Sequence, residues 1–315
     1  MVPIWLLSIR KVKETVPREK LPLLGVAAAF SFLAMMFNVP LPGGTTGHAV
    51  GGTLIAILLG PYAACLAVSV ALLIQALFFG DGGILAFGAN SFNMAFALPF
   101  TGYFVYHGVK KLISSDIIAA GIGSYVGINV AAFCAAVEFG IQPLLFTDAA
   151  GQALYCPYPL SISIPAMMIG HITIFGLAEV IFTTGVLAYL KKTSPDLFQM
   201  TAPASSSKSL FGLLGALILA TPLGLLAAGT AWGEWDVEEL AETDFFGSAL
   251  GYTPSGMENG FSFDVLMPDY AIAGLPDALG YVLSALIGTA LLIIIFKVIA
   301  SFLPAKPSFD TPSQH

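Results

Sequence analysis

Long apolar runs, broken only by small clusters of charge, constrain this chain more than any other feature. Eight can be placed: residues 21–38, 48–60, 61–79, 88–107, 116–139, 161–190, 210–228 and 279–303. A helix that crosses a bilayer needs about 20 apolar residues. Only 10% of the chain is charged and 57% is hydrophobic, against about 25% charged in a soluble domain. The runs are continuous rather than alternating, which excludes a transmembrane barrel. The fold class is all-α: a polytopic membrane protein of about eight transmembrane helices. Residues 1–7 are too short for a signal-peptide apolar core plus cleavage site. Cys65, Cys134 and Cys156 have no metal-type spacing and read as small packing residues.

The run 48–60 is short for a span, and it could be fused with 61–79 into one helix. Charge decides against fusion. The twelve Lys and Arg fall in clusters: Arg10, Lys11, Lys13, Arg18 and Lys20; Lys110 and Lys111; Lys191, Lys192 and Lys208; Lys297 and Lys306. Basic residues near span ends mark the cytoplasmic side. Two separate passes put every cluster inside; one fused pass puts Lys110 and Lys111 outside. Gly60-Pro61 also favours a break, because proline suits a helix start. Both ends of the chain are then expected in the cytoplasm, with loops 39–47, 80–87, 140–160 and 229–278 outside.

The loop 229–278 holds ten acidic residues and no Lys or Arg: Glu234, Asp236, Glu238, Glu239, Glu242, Asp244, Glu258, Asp264, Asp269 and Asp277. An anionic vestibule concentrates cations and repels anions. Residues 193–208 form a polar linker ending Thr201-Ala-Pro-Ala-Ser-Ser-Ser-Lys208. The chain therefore divides into a membrane domain (1–192), the linker (193–208) and a two-helix module carrying the acidic loop (209–315).

The outer stretch Pro42-Gly-Gly-Thr-Thr-Gly-His-Ala-Val-Gly51 places His48 among glycines that permit sharp turns and close backbone approach. A neutral imidazole there can ligate a metal. The plain alternative is a histidine that shapes a turn by bonding backbone carbonyls. Asp81, Asn90, Ser91 and Asn93 reach the same outer side. They could orient His48 through its other ring nitrogen, or Asn90 and Ser91 could simply cap a helix. His171 and Glu179 share a helix face eight residues apart, where an interhelical hydrogen bond competes with a proton relay. The small-residue runs 27–29 and 119–124 allow close helix packing, within the chain or against another subunit. No HExxH, CxxC, Gly-x-Ser-x-Gly or P-loop occurs. The chain is expected to be no enzyme, to have no catalytic residues and to bind no ATP.

The run Leu41-Pro-Gly-Gly-Thr-Thr-Gly-His-Ala-Val-Gly-Gly-Thr-Leu-Ile-Ala-Ile-Leu-Leu-Gly-Pro61 resembles the CbiM/NikM family. These are the cobalt/nickel substrate-capture (S) components of energy-coupling-factor transporters. The stretch Leu73 to Met94 and the pairs Gly170-His171 and Ala178-Glu179 extend the resemblance. Gly251-Tyr-Thr-Pro-Ser-Gly-Met-Glu-Asn-Gly260, Pro268-Asp-Tyr270 and Gly280-Tyr-Val-Leu-Ser-Ala-Leu286 resemble the PDGLE/NikN-like accessory module.

The resemblance implies uptake of Ni²⁺ or Co²⁺, as transported substrate, in a prokaryotic plasma membrane. The implied partners are a transmembrane coupling component, two cytoplasmic ATPase subunits and membrane lipid, with no nucleic acid. It also implies a planar nitrogen site whose loop histidine is His48. Its other ligands, the N-terminal amine and a histidine at position two, have no counterpart here, where Val2-Pro3 follows Met1. The reading expects an upstream segment of about twenty to thirty residues, a span and its lead-in. Two alternatives remain: capture of a small organic vitamin, and a non-transporting scaffold or sensor whose polar loops are only caps.

Overall fold

The computed structural model describes residues 1–17, 20–41, 45–198, 207–227, 229–235, 237, 240, 250–261 and 263–302. Helix α1 is Val2–Thr15 and α2 is Leu21–Met35. A hairpin follows, with β1 (Val39–Leu41) antiparallel to β2 (Thr45–Gly47). Helix α3 is Gly52–Leu59, and α4 is Pro61–Ile74, continued by a π-helical turn at Gln75–Phe79. Helix α5 joins Phe87–Asn90, a π-helical Ser91–Ala97 and Leu98–Lys110. Next come α6 (Asp116–Gly140) and α7, the latter built from Leu160–Gly170, a π-helical His171–Phe175 and Gly176–Thr193. The second module contributes α8 (Ser207–Ala220, tightening to a 3₁₀ turn at Thr221–Leu226) and α9 (Asp277–Phe302).

The fold is the expected all-α polytopic bundle. Each of the eight apolar runs carries a helix, and five helical stretches are long and apolar enough to cross a membrane: Pro61–Phe79, Asp116–Leu145, Leu160–Thr193, Lys208–Leu226 and Asp277–Phe302. Helix α3 differs most from a simple span. Eight residues rise about 12 Å, less than half of the roughly 30 Å hydrocarbon core. The chain therefore enters this pass as strand and extended backbone and becomes helical only at Gly52. Thr53, Leu54, Ile55 and Ala56 are buried. Gly60 (φ 87°) ends α3, Pro61 opens α4, and the two helices pack together. The expected break at Gly60-Pro61 is present.

The basic, polar residues that follow Leu7 belong to the bundle rather than to a detached tail. Helix α1 runs through Thr15, and Ser8 and Val12, one turn apart, are buried on it. The reason is amphipathic spacing: one stripe packs on α4 while Arg10 and Lys11 turn outward to Glu14, at 3.1 and 3.0 Å. The first turn of α1 lies beside the 80–87 turn, where Trp5 stacks on Phe87 and donates to Ser69 at 2.9 Å.

Helix α6 packs against α5 and α7, while α2 packs against α4 and α9. The small-residue runs serve this packing: Ala28, Ala29, Ala119, Ala120, Gly121, Gly123 and Ser124 are buried within the chain. Asp116 pairs with both Lys110 and Lys191, tying three helix ends together on the basic side. Phe104, Phe133, Ile181, Leu219 and Ile294 are exposed, as large apolar side chains facing lipid are. Among the described residues all three cysteines are free. Gly43 and Gly44, and Asp236, Glu238, Glu239, Glu242 and Asp244 of the acidic loop, lie outside the described residues.

Candidate functional site

The hairpin, the loop at His48 and Val50, helix α6 and the π-helical turns of α5 and α7 line a cavity of about 130 Å³. His48, Asn90, Asn93, His171 and Glu234 bring polar groups to a wall otherwise made of small and apolar side chains. Another crevice, between α2, α3, α7 and α8, is lined by Leu23, Leu54, Leu58, Val186, Leu213 and further apolar side chains only. It offers nothing to a cation, so the polar cavity is the candidate site.

His48 reaches the cavity because the backbone beneath it is clamped. Gly51 takes a left-handed conformation (φ 72°), and a side chain there would strike the Phe30 ring. That leaves the first amides of the α3 turn facing inward with no strand or helix partner. Glu179 of α7, 0% exposed, supplies the acceptor. The Val50 N–H donates to its Oε2 at 2.7 Å, and the Gly51 N–H donates to Oε2 at 3.0 Å and Oε1 at 3.2 Å. Ser31 donates to the Val50 carbonyl at 2.8 Å. Irregular backbone at membrane depth is tolerated only with such partners, and a carboxylate at a helix N-terminus also complements the helix dipole. Of the two sequence-level readings of Glu179, the hydrogen-bonded one describes its contacts.

The His48 ring is half-buried, with Nδ1 3.3 Å from the Ala49 carbonyl oxygen. With the proton on Nδ1 toward that carbonyl, the Nε2 lone pair is left for a cation. His171 is arranged alike: its Nδ1 lies 2.9 Å from the Met167 carbonyl, leaving its Nε2.

The four residues expected around His48 have distinct surroundings. Asp81 acts on His48 by charge, but its Oδ2 accepts from Gln75 Nε2 at 2.8 Å and from the Tyr270 hydroxyl. Gln75 also donates to that hydroxyl at 2.8 Å. Asn90 donates to the Gly82 carbonyl at 2.9 Å and so ties down the 80–83 turn. Asn93, 3% exposed, donates to Glu138 at 2.7 Å, while its Oδ1 has no partner among the described residues. The Ser91 hydroxyl is buried and likewise without a partner.

Two contributors come from the second module, and sequence reasoning did not connect them with His48. Tyr270 is buried, stacked on Phe79 at 4.7 Å, with its backbone and that of Asp269 left-handed (φ 62° and 50°). Burial and Asp81 push its phenol pKa well up, so it stays a donor. Glu234 is open to the cavity yet surrounded by dense protein. That surrounding, with Asp81 and Asp269, pushes its carboxyl up to about 7. Among the described residues no group of three or more His, Cys, Asp or Glu stands ready to hold a metal ion.

Residues 1–197 match the family model CbiM, described as the cobalt uptake substrate-specific transmembrane region, and residues 206–305 match the PDGLE domain. The chain is 49% identical to a probable fused nickel transport protein, LarMN, of Lactiplantibacillus plantarum, over 95% of this chain and 90% of the relative. It is also 49% identical to the fused nickel transport protein NikMN of Rhodobacter capsulatus, over 93% and 89%. A crystal structure of a transition metal transporter superposes with a TM-score of 0.60 at 48% identity, covering 65% of this chain and 92% of that one.

Proposed function

The chain belongs to the CbiM family of cobalt-uptake, substrate-specific transmembrane proteins, and on that premise we propose that it captures Ni²⁺ or Co²⁺ at its outer face for uptake into the cell. It is a transport protein, not an enzyme, and the metal is its cargo. The observation that carries the proposal is the cavity, which His48 lines together with His171, Asn90, Asn93 and Glu234. Ni²⁺ and Co²⁺ favour imidazole nitrogen over the all-oxygen surroundings that suit Mg²⁺ or Ca²⁺.

Each residue has a part in this reading. His48 is the ligand. Glu179 holds the loop that presents it, through Val50 and Gly51. Asp81, Asn90, Ser91 and Asn93 shape the wall behind it. The basic side, with Lys110 and Lys191 on Asp116, faces the cytoplasm of a prokaryotic plasma membrane. No P-loop occurs in the sequence, so uptake draws its energy from partners: a transmembrane coupling component and two cytoplasmic ATPase subunits.

Titration of Ni²⁺ and Co²⁺ into purified full-length chain tests the proposal. His48→Ala is expected to weaken binding by about 100-fold or more, since loss of a group that merely supports a ligand already costs about 10–100-fold. The melting temperature should hold, because the ring's hydrogen bond to the Ala49 carbonyl is long, at 3.3 Å. Unchanged affinity in that variant would remove His48 from the site.

A further inference from the structure

The second module does more than pack on the first. Its Thr230–Ala231 segment adds to the free edge of β2. The Thr46 N–H donates to the Thr230 carbonyl at 3.2 Å, the Thr45 hydroxyl donates to the same oxygen at 3.2 Å, and Thr46 bridges Ala231 in parallel. Trp232 then buries its ring against Phe139 at 5.5 Å and Trp235 at 5.1 Å. Gly233 (φ 97°) passes so close to Phe139 that no side chain fits there. This course delivers Glu234 to the cavity, three residues past the bridge.

Among the described residues lining the cavity, Glu234 is the one carboxylate; the other polar side chains are imidazoles, amides, threonine hydroxyls and the Trp232 indole. A second observation points to a polar occupant: the Oδ1 of Asn93, a residue lining the same cavity, is buried without a partner among the described residues. Buried polar atoms are almost always satisfied by protein, water or ligand. A divalent cation arrives with a firmly held water shell. An anionic oxygen can replace one water and offset one charge, which a neutral imidazole cannot. Asp81 and Asp269 lie near enough for their charge to act on Glu234, so the potential at this wall is negative.

We infer that Glu234 is the entry ligand of the cavity, the group that takes a first-row divalent cation from solution and passes it to His48. The inference rests on the metal-capture reading. In the exchange one bound water leaves as the carboxylate oxygen coordinates, and the carboxylate leaves as the His48 nitrogen coordinates; the metal keeps its charge throughout.

Stopped-flow mixing of the full chain with Ni²⁺ alone, followed by tryptophan fluorescence, tests this, because Trp232 stands in the same wall. Glu234→Gln should slow association about tenfold, within the range by which local charge raises on-rates, with an unchanged melting temperature. Glu234→Asp should recover most of the rate. Glu258→Gln removes the same charge from an exposed position of the same module outside the cavity, and it should leave the rate alone. A wild-type rate in Glu234→Gln, or equal slowing in Glu258→Gln, overturns the inference. Wild-type chain that gives no Ni²⁺ signal, or His48→Ala that binds as tightly as wild type, overturns the capture reading instead.

Discussion

The two walls of the cavity are held in opposite ways. The His48 wall hangs on buried, charge-assisted hydrogen bonds: a carboxylate on α7 accepts two backbone amides from a segment 128 and 129 residues earlier in the chain. The Glu234 wall is held by strand-edge pairing at exposed Thr230 and by packed aromatic rings. Between them sits a third tie, Tyr270 on Asp81 and Gln75. The contrast assigns rigidity to the side that carries His48. The side that carries Glu234 is joined by contacts that cost less to break.

Substitutions can break or sharpen this contrast. Glu179→Ala should do the most damage. It strands the Val50 and Gly51 amides, and an unsatisfied buried donor costs about 1–3 kcal/mol. The expected loss is about 3 kcal/mol of stability, read as a lower melting temperature in detergent, together with metal affinity reduced at least tenfold. Tyr270→Phe comes next. It keeps the stacked ring and removes one bond given to Asp81 and one taken from Gln75, for about 1–2 kcal/mol. A cycle with Asp81→Asn should show the two losses to be non-additive, as expected for groups in contact. Thr45→Val should matter least. It deletes one exposed bond to Thr230 and should cost about 0.5 kcal/mol with metal affinity unchanged. A ranking with Thr45→Val above Glu179→Ala would invert the contrast.

Much of the architecture was legible because membranes simplify the code. Apolar length located helices α2 to α9 but not the amphipathic α1, and Gly60-Pro61 located the turn between α3 and α4. The glycine-rich loop drew attention to His48 through its composition alone. The rest was hidden for physical reasons. Helix α3 is short because its pass is part extended, and hydropathy does not register how backbone amides are satisfied. The π-helical turns that carry Asn93 and His171 leave no periodic signature in apolar runs of this length. Glu234 sits 186 residues from His48, one of ten acids in a loop, and only the pairing of Thr46 with Ala231 singles it out. Asp81 was grouped with the outer turns. Its hydrogen bonds go to Gln75 and Tyr270 because a buried phenol and amide compete for the same oxygen.

Helix α3 also bears on the electrical behaviour of a membrane that contains this protein. Beneath Val50 the bundle is filled by Leu54, Ile55, Ala56 and Leu98, all at most 2% exposed. A resting potential of 100 mV acts on a divalent cation with about 4.6 kcal/mol, at 2.3 kcal/mol per unit charge. On the α3 side that force meets close packing rather than an open pore. Packing of this kind lets a bilayer hold many copies of the chain without losing electrical resistance.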